Sequence, residues 1–185
     1  MLEAARSLFS EGGYYEISVE DIAAAAGVVR STIYNLFGSK VALLEAVVHD
    51  ALRRAGFQGL RDAMAREDAA EAAHAMIVAG CELWATEHVI FRKVIGLAAV
   101  DDAVRGLIDR LEASRRDDMG RLVTRLAEQG YLRAGCSEER AVRVFELLTS
   151  FEAFDHFFTR AGLGPAETAE ELWLQAQATL TPSAS

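Results

Sequence analysis

The 185 residues are 51% apolar and 25% charged, with a net charge of −9, which supplies ample material for a core. No apolar run reaches the ~18 residues of a membrane span, because Arg, Asp or Glu interrupts each one, and so acidic a balance excludes a broad positive field for nucleic acid. Met1 opens directly into an amphipathic pattern with no secretory signal, so cytoplasmic residence is expected.

Only two prolines occur, and Ala, Leu, Glu and Arg abound, which favours an all-α fold. Residues 2–11 place Leu2, Ala5, Leu8 and Phe9 on one helical face, and Gly12-Gly13 ends the segment. Ser18 followed by Asp21 reads as an N-cap and a variant capping box. A short helix over 19–26 follows, with Ile22, Ala23 and Ala26 inward, and Gly27 stops it. A second short helix spans about 30–36, and Ser39 caps the next, over 40–54. Beyond Gly56 the helices lengthen. They are expected over 69–87, 89–99, 101–129 and 137–160, the last ended by Gly162. Pro165 suits the first turn of a final helix to residue 180, and 181–185 is expected to fray. The total is about nine helices and no strand.

The stretch 18–40, SVEDIAAAAGVVRSTIYNLFGSK, carries the functional signal. Two helices of seven to eight residues joined at a glycine describe a helix-turn-helix. A small residue is required where the helices cross, here Ala23, and a positive-φ residue four positions on, here Gly27. Ile22, Ala26, Val28, Ile33 and Leu36 are expected to fill the angle between the helices. The N-terminal residues of the second helix face base edges in such motifs. Arg can grip guanine, Asn can grip adenine, and hydroxyls serve bases or phosphates. Residues 1–50 nevertheless carry three basic side chains, Arg6, Arg30 and Lys40, against seven acidic ones. DNA contact must therefore rest on local geometry.

Ala4-Ala5, Leu8-Phe9, Gly12-Gly13-Tyr14, Val19, Asp21-Ile22-Ala23, Ala26-Gly27-Val28, Thr32-Ile33-Tyr34, Phe37 and Ser39-Lys40 together resemble the DNA-binding domain of the TetR family over about residues 2–47. The resemblance implies a three-helix DNA-binding domain at 1–47 and a larger helical ligand-binding and dimerisation domain at 48–185. It further implies homodimers formed through the last two long helices and a recognition helix over 30–36 whose DNA-contact candidates are Arg30, Ser31, Thr32, Tyr34 and Asn35, with Tyr34 and Lys40 at positions that touch phosphate. Repression by occupying a near-palindromic operator is the implied output. Two positions depart from the family pattern. Val29 stands where Ser or Thr often caps the recognition helix, and Leu36 where Tyr or His often reaches phosphate.

In the larger domain an effector pocket is expected among the helices. Trp84, Phe91, Met119, Phe151 and Phe154 are its apolar candidates and His88 a polar handle, favouring a hydrophobic small molecule. The aromatic cluster 151–158 could line that pocket or a dimer seam. Cys81 and Cys136 form no CxxC or Cys/His cluster and are expected as free thiols. His49, His74, His88 and His156 make no ligand pair, so no metal or other cofactor is expected. No GxSxG, HExxH, P-loop or GxGxxG pattern occurs, so catalysis is not expected. The alternative is a small-molecule-binding or adaptor protein whose DNA-binding head is degenerate.

Overall fold

The computed structural model describes residues 1–181. In chain order its helices are α1 (Leu2–Glu11), α2 (Val19–Ala25), α3 (Arg30–Phe37), α4 (Lys40–Arg54), α5 (Phe57–Met64) and α6 (Ala69–Thr86). There follow α7 (His88–Ala98), α8 (Asp102–Glu128), α9 (Glu138–Leu148), α10 (Phe151–Asp155) and α11 (Pro165–Gln177). Among the described residues there is no strand; a single isolated bridge joins Leu132 to Leu180. The chain divides into two compact units, one of Met1–Arg54 with Glu87–Arg110, the other of Ala55–Thr86 with the chain from Leu111 on.

In the first unit α1 turns Ala5 and Phe9 inward, as its periodicity predicts, and α4 buries Leu43, Leu44, Val47, Val48 and Ala51. From α7, Ile90, Phe91, Val94 and Ala98 are buried. Charge reinforces this packing. Glu87, buried just before α7, lies 3.5 Å from the Arg6 guanidinium of α1 and 3.8 Å from that of Arg54 in α4. Glu3 accepts hydrogen bonds from the same two arginines, which hold its carboxyl down at about 2.

In the second unit α6 packs against α5 and α11. Its small residues Ala69, Ala72 and Ala73 permit close approach, and Met119, Leu122, Val123 and Leu126 of α8 complete the core with Phe145, Phe154 and Leu172. Arg125 donates to the backbone carbonyls of Met64 and Arg66, satisfying the end of α5.

Eleven helices rather than nine reflect two local events. Residues 57–64, for which no helix was expected, form α5 because Leu60, Ala63 and Met64 find the core. The single helix expected over 137–160 breaks at Thr149-Ser150. Thr149 Oγ1 donates to the Phe145 carbonyl at 2.7 Å, and Ser150 adopts an extended ψ and caps α10 by accepting from the Ala153 N–H. These residues satisfy the backbone with their own hydroxyls, which competes with helix continuation. After α10 the chain widens into a π turn over His156–Arg160. The final helix ends at Gln177, short of the expected 180. Fraying expected from 181 does not hold for Thr181, whose N–H donates to the Tyr131 carbonyl at 2.6 Å; 182–185 lie outside the described residues. Both cysteines are free thiols, and burial pushes the Cys81 thiol up to about 12.

Candidate nucleic-acid interface

Both short helices of the motif have chemically defined ends. Ser18 Oγ accepts from the Asp21 N–H at 3.1 Å, while the Asp21 carboxylate accepts from the Ser18 N–H at 2.8 Å. This reciprocal cap starts α2, and the Ser18 hydroxyl and N–H, both donating to the Asp21 carboxylate, hold it below its ordinary range. The turn after α2 passes through Gly27 at φ +67°, where a Cβ would meet open space. The demand for glycine there is one of backbone conformation alone. Ala23 is buried, and its carbonyl accepts from the Val28 N–H at 3.0 Å, closing the turn.

α3 stands on Ile33, which is 1% exposed. Around it Arg30, Ser31 and Asn35 are exposed, Thr32 is half-buried, and Tyr34 is 38% exposed. The expectation that Leu36 fills the inter-helix angle is corrected: it is 64% exposed, and half-buried Phe37 lies beside the core instead. On a helix a residue four beyond Ile33 lies closer to its face than one three beyond, and the sequence pattern admits either. Val29 precedes α3 with no side-chain cap.

The two cations of this surface have partners within the chain. Arg30 Nη1 lies 2.6 Å from the Glu20 carboxylate of α2, and its guanidinium sits 5.1 Å from the Tyr34 ring centroid. Lys40, at the start of α4, places its ammonium 4.2 Å from the Tyr14 ring centroid and donates to the Tyr14 carbonyl. Burial lowers the Lys40 pKa and pushes the Tyr14 phenol up to about 12. Sequence reading missed Glu20 and Tyr14. Glu20 is separated from Arg30 by the turn, so the pairing depends on how the hairpin closes.

The six residues expected at an effector pocket are divided between the two units. Trp84, Met119, Phe151 and Phe154 belong to the second unit, His88 and Phe91 to the first. Trp84 Nε1 donates to the Thr149 carbonyl at 3.1 Å, and its ring meets Phe151 edge-on at 5.6 Å. Thr149 Oγ1 also reaches the Met119 sulfur at 3.9 Å. Phe151 and Phe154, from the cluster whose role spacing left open, are buried within their own protomer. Among the described residues no three His, Cys, Asp or Glu side chains converge as a metal site requires, and no helix is long and apolar enough to cross a membrane.

Comparison with known proteins agrees with this geometry. Residues 1–47 match the model of the bacterial regulatory proteins of the tetR family. An uncharacterised helix-turn-helix-type transcriptional regulator of Mycobacterium tuberculosis is 43% identical over 56 residues, a match spanning 30% of this chain and 28% of that protein. Among solved structures, the TetR-family regulator PfmR of Thermus thermophilus is 24% identical with a TM-score of 0.71, covering 97% of this chain and 98% of its own. NalD of Pseudomonas aeruginosa, described as the secondary repressor of a multidrug efflux pump, is 21% identical with a TM-score of 0.74, covering 99% and 95%. At these identities the structural likeness establishes the fold.

Proposed function

We propose that the chain, whose residues 1–47 match the tetR family model and whose fold is that of TetR-family structures, is a cytoplasmic, ligand-responsive repressor of that family without catalytic activity. It binds a near-palindromic operator as a homodimer and is released by a small hydrophobic effector. The observation that carries this reading is the polar face of α3, where Arg30, Ser31, Tyr34 and Asn35 project from a helix anchored by Ile33. Residues 1–47 supply DNA contact in this reading, and 48–185 effector binding and dimerisation. In the complex α3 lies in the major groove, with Arg30 on guanine O6/N7 and Asn35 on adenine N6/N7. Two copies related by a twofold axis would read half-sites about 34–36 Å apart. Effector binding favours a dimer geometry that spaces the recognition helices differently, and the preference works equally in both directions between DNA and ligand.

The engagement of Arg30 by Glu20 and of Lys40 by Tyr14 favours a second reading, in which the fold binds a small molecule or a partner protein and the head no longer reads DNA. In vitro selection of genomic DNA by the purified protein, at about 50 and about 200 mM salt, separates the two. A recovered inverted repeat whose base preference changes in Arg30→Ala or Asn35→Ala supports repression through α3. Absence of any enriched sequence at the lower salt supports the second reading.

A further inference from the structure

A cavity of about 590 Å³ lies within the first unit, bounded by the end of α1, the turn after it, α4 and α7. That volume is typical of sites for drug-sized molecules. Its floor is apolar, formed by the buried side chains of Phe9, Leu44, Ile90 and Val94. Gly12 and Gly13 line it with backbone alone. Tyr14 and Tyr15 form the wall toward the turn, their rings edge-on at 77° with centroids 5.4 Å apart. None of the six residues expected to line an effector pocket borders this one.

The charges at its mouth indicate what it takes. Exposed Glu11 and Glu16 stand there against one cation, Lys93. Lys93 is directed at the turn itself, donating to the Gly12 carbonyl at 3.0 Å. Carboxylates therefore outnumber the cation, and tyrosine π faces attract positive charge. Lys40 already lies over the Tyr14 ring. An apolar floor under an acidic, aromatic rim suits a molecule with apolar rings and a positive charge. We infer that this cavity is a binding site for lipophilic organic cations.

Its position gives the site a consequence for the head. The wall of the cavity is the segment that connects α1 to α2, and three side-chain bonds fasten that segment. Lys93 donates to the Gly12 carbonyl, Lys40 donates to the Tyr14 carbonyl, and Tyr15 Oη donates to the Asp101 carboxylate at 2.8 Å. A molecule seated on Phe9 between the turn and α7 displaces this segment and with it the start of the helix-turn-helix. Binding stands on the cavity alone, whereas release of DNA rests on the regulator reading.

The test is calorimetric titration of the full chain, without DNA, using tetraphenylphosphonium and tetraphenylborate, ions of similar size and opposite charge. The phosphonium is expected to bind at one site per chain and the borate at least about tenfold more weakly. Leu97→Trp, which adds bulk at a half-buried edge of the cavity, should weaken phosphonium binding by about tenfold or more. The surface pair Glu11→Gln with Glu16→Gln should weaken it about threefold or more, and decides the matter if Leu97→Trp does not fold. Absence of phosphonium binding, equal or tighter borate binding, or affinity unchanged in folded variants overturns the site. Phosphonium that binds but leaves operator affinity unchanged retains the site and overturns its effect on the head.

Discussion

To reach a guanine as proposed, Arg30 would have to leave the Glu20 carboxylate. Its partner Glu20, 2.6 Å away, occupies the guanidinium edge that a guanine would take. Both side chains are more than half exposed, so the pair is worth little in stability, yet it competes at the point where affinity is set. Glu20→Gln removes the competitor and a negative charge that would face phosphate. Operator affinity measured by fluorescence anisotropy is expected to rise about two- to fivefold, with folding unchanged. An unchanged or weakened affinity would show that Arg30 does not bear on DNA. Lys40 differs, because half-burial over Tyr14 makes it a brace between the turn and α4 as well as a phosphate candidate.

At the scale of elements, the motif depends on its turn and caps more than on the intrinsic helicity of two helices of seven and eight residues. Helices that short do not persist in water without support. Gly27 at φ +67° is the joint between them. Since a Cβ there meets nothing within 4 Å, Gly27→Ala isolates the backbone cost of the left-handed conformation. A loss of about 1–2 kcal/mol is expected in thermal or denaturant unfolding. Gly27→Asn should lose less, because asparagine tolerates that region better. Equal losses in the two variants would mean that contacts, and not φ, select glycine. The same logic of local hydrogen bonding divides α9 from α10, where the Thr149 and Ser150 hydroxyls end one helix and start the next.

For the whole molecule, a net charge of −9 sets the terms of any encounter with DNA. Few phosphate contacts per protomer imply a shallow dependence of affinity on salt, since each contact contributes about −0.9 to the logarithmic slope. In the proposed dimer, twofold pairing would join two weak half-sites into one binding event. The proposed dimer seam runs through the last long helices, where Leu147 of α9 and Leu174 of α11 are 65% and 56% exposed. The variant carrying Leu147→Glu and Leu174→Glu is expected to sediment as a monomer and to lose cooperative operator binding. A variant that remains dimeric would place the interface elsewhere.

The features legible in the sequence are those decided within a few residues. Ser18 with Asp21, Gly27 and the inward Ile22 and Ile33 each depend on neighbours one or two turns away, and the structure places them as their pattern predicts. The exposed face of α3 was legible for the same reason, since the position of Ile33 dictates which residues face outward. The expectations that the structure corrects, Leu36 in the inter-helix angle and one helix over 137–160, fail where local patterns admit two solutions and packing selects one. What only the tertiary structure decided are contacts between segments far apart in the chain. Lys93 meets Gly12 across 81 positions and Tyr15 meets Asp101 across 86. The cavity beside Phe9 is space between such segments, and no short run of residues encodes the size of a gap. Hydrogen bonds within a turn are written in sequence order, whereas burial, charge partners and cavities depend on which distant surfaces meet.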